Sequence, residues 1–73
     1  MAEQRLPLAR YRRQLREMRT ELTSWIAAYE ETGRRCESLG LAGRYAKRAA
    51  ALEDVRAAVF EAEMRLYEVP RVQ

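Results

Sequence analysis

The sequence predicts an all-α fold, an antiparallel two-helix hairpin expected to dimerise into a four-helix bundle. Three observations point there. Between Leu8 and Tyr29, seven apolar residues (Leu8, Tyr11, Leu15, Met18, Leu22, Trp25, Tyr29) recur at alternating spacings of three and four, the a and d positions of a heptad seam on one helix face. A second ladder, Tyr45, Ala49, Leu52, Val55, Val59, Ala62, Leu66 and Val69, repeats the rhythm in the other half of the chain. Between them lies Gly40-Leu41-Ala42-Gly43, short enough to return the second helix antiparallel to the first. Composition agrees: Ala, Arg, Glu and Leu dominate, and no β-branched run alternates with polar residues to mark a strand.

The chain reads as a single helical-hairpin domain over residues 1–73, with helix one at about 7–39, the turn at about 40–43 and helix two at about 44–69. Residues 1–6 lack a strong cap and are expected to fray ahead of Pro7, which suits a first helical turn because its missing N–H has no intrahelical partner there. Two stops compete for helix one. Gly33 would end it as a left-handed terminal residue, whereas Thr32, Cys36 and Leu39 continue the heptad to Gly40. The continuous helix is preferred, since an interior glycine costs only about 1 kcal/mol. Helix two ends before Pro70, which disfavours helical geometry in its predecessor. With the turn centred near Leu41 and Ala42, the register sets Trp25 near Val59 and Met18 near Leu66.

One stripe per helix is a thin core for 73 residues, a size at which one core rarely supplies more than a few kcal/mol. Leu8 and Tyr11 outrun helix two, and Trp25 with Ile26 needs more room than two helices enclose. Helix two also carries a second stripe, Phe60, Met64 and Tyr67, separated from its seam by Arg56 and Glu63. These seven residues, Leu8, Tyr11, Trp25, Ile26, Phe60, Met64 and Tyr67, form the candidate protein interface, and a second copy or another protein is the expected cover.

The net charge is +3, and all fourteen basic residues except Lys47 are arginine. Arginine suits bidentate contacts to carboxylate or phosphate, although a genome rich in G and C yields the same bias. Arg5, Arg12, Arg16 and Arg19 share one flank of helix one, where the acidic end of helix two (Glu61, Glu63, Glu68) is placed to answer them. At the turn, Arg34, Arg35, Arg44, Lys47 and Arg48 gather against Glu37 alone, a candidate nucleic-acid surface that lacks any phosphate-loop or recognition-helix motif.

Catalysis is not expected, and the candidate catalytic, cofactor and metal sets are empty. There is no histidine, the commonest general base and metal ligand. The lone Cys36 makes neither a zinc site nor an intrachain disulfide. The adjacent carboxylates Glu30-Glu31 and Glu53-Asp54 diverge by about 100° on a helix and do not converge on a substrate. No apolar run reaches the length of a membrane span or signal peptide, which leaves the cytoplasm as the default location. The expected role is a small non-enzymatic protein–protein interaction module, an adaptor, regulator or inhibitor working through an apolar helix face. The alternative is a nucleic-acid-binding regulator using the basic turn.

Overall fold

In a computed structural model, which describes residues 6–70, two α-helices of equal length, α1 (Leu8–Arg35) and α2 (Leu39–Leu66), run antiparallel and pack along their length. The radius of gyration is 17.6 Å, against about 11 Å for a spherical domain of this size, so the hairpin is a rod. No described helix is long and apolar enough to cross a membrane. Residues 1–5, and with them most of the fraying expected before Pro7, lie outside the described residues.

The turn falls earlier than the glycines suggest. Helix α1 stops at Arg35 rather than at Gly33 or Gly40, because Cys36 turns extended (φ −71°, ψ 130°) while its N–H bonds back to the Gly33 carbonyl. Ser38 then opens α2 as its N-cap, its hydroxyl accepting from the Leu41 N–H at 3.3 Å. A serine cap satisfies an otherwise orphaned donor and contributes about 1 kcal/mol, which outweighs the weak stop signal of glycines that need not leave the helix. Gly33, Gly40 and Gly43 are all helical, and none has positive φ. At the far end α2 closes at Leu66, with Tyr67 and Glu68 donating to the Met64 and Arg65 carbonyls three residues back. Val69, preceding Pro70, is outside the helix.

Moving the turn slides the register by about six residues, nearly two helical turns. Thr23, not Trp25, sits across from the middle of α2, where its hydroxyl accepts from Arg56 at 3.1 Å. Arg19 lies over Phe60 at 4.9 Å and Arg12 over Tyr67 at 4.5 Å. Near the turn, Tyr29 stacks on Tyr45 at 6.0 Å.

The faces roll as well. The positions facing the other helix are Leu8, Arg12, Leu15, Arg19, Leu22, Ile26, Tyr29 and Gly33 in α1, followed by Cys36 just past its end, and Ala42, Tyr45, Ala49, Leu52, Arg56, Val59, Glu63 and Leu66 in α2. Spacings of four and three persist. Yet Arg12, Arg19 and Ile26 have taken the places expected for Tyr11, Met18 and Trp25, and Arg56 and Glu63 those of Val55 and Ala62. Each helix is thus turned by roughly 50° from its most apolar face. Close approach explains part of this. A Cβ on Gly33 would stand 3.4 Å from Tyr45 Cβ, so the glycine lets the helices meet where threonine would hold them apart. The core is correspondingly slight: Ile26, Ala49 and Val59 are its only buried apolar side chains among the described residues.

Candidate functional site

The roll sorts the exposed apolar residues onto two edges of the seam. Arg12, Arg19 and Ile26 point inward, with the two arginines reaching toward Phe60, Glu63 and Tyr67. Tyr11, Met18 and Trp25 each precede one of these by a single residue, about 100° around the helix, and therefore line the opposite edge. The same step on α2 sets Arg48, Val55 and Ala62 on that edge, beside Ala49, Arg56 and Glu63. Arg48 confirms the side, its guanidinium lying 5.9 Å from both the Tyr29 and Tyr45 rings, with Trp25 against Tyr29 at 5.8 Å. One broad face, the back, exposes apolar side chains, Tyr11, Met18, Trp25 and Val55 being 40, 46, 57 and 46% exposed, with the exposed Glu21 between Met18 and Trp25 on the same stripe.

The front face is charged. Glu63 is 4% exposed and is the only buried charged residue among those described. Its Oε1 accepts from Arg16 Nε at 3.4 Å, and its Oε2 lies 3.0 Å from Arg19 Nη2. That second approach is too poorly angled to count as a hydrogen bond, and it leaves Glu63 Oε2 and Arg19 Nε without partners. Of the three carboxylates expected to answer the arginine stripe, Glu63 does so, while Glu61 pairs with Arg65 at 3.1 Å along its own helix. Two open grooves run along this face. One, of about 460 Å³, has a floor of Gly33, Ala42, Ala46, Ala49 and Ala50; the other, of about 360 Å³, is lined by Arg19, Thr23, Arg56 and Phe60.

The candidate interface residues therefore divide. Ile26 is buried between the helices and Leu8 is half-buried, so both brace the hairpin. Tyr11 and Trp25 lie on the back. Phe60 and Tyr67 lie on the front edge of α2 under the guanidinium groups of Arg19 and Arg12, and Met64 projects outward beside them. Met18 and Val55, assigned from the sequence to the inner seam, join the exposed back face instead. The polar seam of Arg12, Arg19, Arg56 and Glu63 is legible only in retrospect, as a second four-and-three ladder one residue out of step with the apolar one.

At the turn, two of the five basic residues are already engaged. Arg34 and Arg35 pair with Glu31 at 2.6 and 2.8 Å. The hydrogen bond and charge of Arg34, with help from Arg35, hold the Glu31 carboxyl below its usual pKa. Arg48 lies over the tyrosines without an ion pair, and Arg44 and Lys47 have neither an ion pair nor a ring contact among the described residues. Cys36 is half-buried at the end of the seam and carries a free thiol. No family model matches the chain, and no curated protein or solved structure matches it either.

Proposed function

We propose that this chain is a non-catalytic protein–protein interaction module, which completes its core by docking an apolar helix face against another polypeptide. Two hairpins forming a four-helix bundle are one such assembly, and an adaptor, regulator or inhibitor bound to a different protein is the other. The observation that carries the reading is an imbalance. Among the described residues, three apolar side chains are buried, whereas ten large ones, Trp25, Phe60 and Met64 among them, are more than a third exposed. Burial of apolar area is the main favourable term in folding and association, and a contiguous apolar face on a small protein marks a contact surface.

The nucleic-acid alternative gains less from the structure, since Arg34, Arg35 and Arg48 have partners inside the hairpin. A direct test uses the chain as bait, comparing wild type with Trp25→Glu in hydrodynamic and capture measurements. The module reading expects an association, with itself or another protein, that the substitution abolishes. A wild type that stays monomeric at high micromolar concentration and captures nothing sensitive to Trp25→Glu overturns it.

A further inference from the structure

We infer that the front groove between Thr23 and Phe60 receives a carboxylate side chain of a partner polypeptide, with Arg56 as its anchor. The inference rests on the interaction-module reading and adds the chemistry of one contact.

Arg56 differs from its neighbours in what answers it. The arginines of the seam, Arg12, Arg19 and Arg56, are all half-buried. Arg12 has the Tyr67 ring at 4.5 Å, and Arg19 has Glu63 Oε2 at 3.0 Å together with the Phe60 ring at 4.9 Å. Arg56 has neither a carboxylate nor a ring among the described residues. Its side-chain hydrogen bond runs from Nη1 to Thr23 Oγ1 at 3.1 Å, and that hydroxyl donates its own proton to the Arg19 carbonyl at 3.0 Å. The contact therefore aims the guanidinium without neutralising it. A cation withdrawn from water is costly unless it is paired, and most of the donor fork of Arg56 is left unused.

Charge and shape narrow the occupant. The groove beside Arg56 holds about 360 Å³ and is lined by Arg19, Thr23, Glu53, Arg56, Ala57 and Phe60. Glu63 answers Arg16 and Arg19 from within the seam, while Glu53 is exposed and makes no ion pair with either arginine of the lining. Three positive charges (Arg16, Arg19, Arg56) thus stand against two negative ones (Glu53, Glu63), a remainder of one. A carboxylate supplies one negative charge and matches the planar fork of arginine in a bidentate pair, whereas a phosphate brings further charge that Glu53 opposes. The groove is open, and sites for free small ligands enclose most of the ligand surface. A polypeptide can cover the rest. Phe60 in the lining and Met64 one turn further along α2 are 47 and 49% exposed, a shelf for apolar side chains next to the acidic one.

NMR titration of the full chain with 3-phenylpropionate as the carboxylate probe tests the site. The acid should shift the Arg56 Nε–Hε and Phe60 ring signals saturably, with a Kd on the order of 1 mM, and its amide, the same body without the charge, should bind roughly tenfold more weakly. Arg56→Gln, which keeps a donor for Thr23, should lower the affinity for the acid roughly tenfold. Arg56→Lys should lower it severalfold through loss of the fork, and Glu53→Gln should raise it severalfold by removing the opposing charge; these two carry the test if Arg56→Gln fails to fold. Equal binding of acid and amide, or an affinity unchanged in Arg56→Lys and Glu53→Gln, overturns the site. Inorganic phosphate bound more tightly than the acid overturns the choice of carboxylate. A peptide blocked at both ends, with one glutamate between leucine and phenylalanine, should bind more tightly than the free acid, and weaker binding overturns the polypeptide source. If the site fails while Trp25→Glu still abolishes an association, the module reading stands alone; if the probe binds to a chain that associates with nothing, the module reading and the polypeptide source fall together.

Discussion

Replacing Glu63 by leucine should stabilise this protein, although it deletes two ion pairs. The Glu63 side chain is 5% exposed, whereas its partners Arg16 and Arg19 are 60 and 35% exposed, so solvent screens both attractions. Pairs of that kind contribute about 0.5 to 1 kcal/mol each, giving a loss of about 1 to 2 kcal/mol. Against this stands the desolvation of a carboxylate whose Oε2 lacks a well-angled donor, a cost of several kcal/mol. Leucine removes it and adds about 2 kcal/mol of apolar burial at a seam position beside Val59 and Leu66. These terms sum to a gain of roughly 3 kcal/mol, within the range of about 1 to 4 kcal/mol for replacing a buried ion pair by an apolar residue, or on the order of 10 °C or more in Tm for a domain of this size. Glu63→Lys should do the reverse, setting a third cation against Arg16 and Arg19 at a cost of about 3 kcal/mol or more. Urea unfolding followed by circular dichroism, at one fixed protein concentration because any association would contribute to stability, measures both. A destabilised Glu63→Leu together with a tolerated Glu63→Lys would show that Glu63 faces water and that the hairpin closes on the Tyr11–Met18–Trp25 ladder instead.

Three further outcomes follow from the same geometry. Ile26→Ala should cost about 2 to 4 kcal/mol in urea unfolding, since Ile26 is 4% exposed, whereas Trp25→Ala one residue earlier should act mainly on association, read as a shift in the concentration dependence of Tm. Gly43→Ala should raise stability by up to about 1 kcal/mol, because the residue is helical and a Cβ there meets nothing within 4 Å; a loss would mean that the first turn of α2 is not helical at Gly43. Glu31, its pKa lowered by the Arg34 hydrogen bond first and the Arg34 charge second, favours the folded state above its unfolded pKa and loses that contribution as pH falls through the lower folded value. An NMR titration of its carboxyl carbon should therefore show a midpoint below that of an unfolded reference peptide, and Arg34→Gln should raise it.

What could be read from the residues alone was the architecture: two amphipathic helices, returning antiparallel, from periodicity and the lack of strand signals. Two local features escaped for physical reasons. Ser38 is a stronger boundary marker than Gly33, Gly40 or Gly43, yet three glycines within eleven residues draw the eye to the turn they do not make. The second is the rotation of the seam. A search for apolar periodicity finds the face that most wants to leave water, and in a two-helix unit that face need not be the one the helices share. Gly33 and Ala49 allow close approach, and Glu63 links Arg16 and Arg19 across the pair. These favour a seam offset by one residue, which no count of hydrophobic positions would rank first. The arginines at 12 and 19 belong to it because their long stems cover apolar surface while their heads reach Tyr67, Phe60 and Glu63.

The offset has a consequence for how association and folding are coupled. Had the hairpin closed on its most apolar ladder, Tyr11, Met18 and Trp25 would be inside and only the Phe60–Met64–Tyr67 edge would stay exposed. Closing on a seam that contains Arg12, Arg19, Arg56 and Glu63 makes each hairpin weaker alone and leaves Tyr11, Met18 and Trp25 exposed on the back. The polar seam also disfavours rival packings. Glu63 fits only where Arg16 and Arg19 meet it, so slipping α2 by a turn would strand a buried carboxylate, while the apolar back face by itself would accept several registers. Charge inside the pair thus fixes how the two helices of one chain align, and apolar area outside it is what the proposed association would bury. In such a division, substitutions at Glu63 should change the alignment and stability of the hairpin, and substitutions at Met18 or Trp25 should change what it binds.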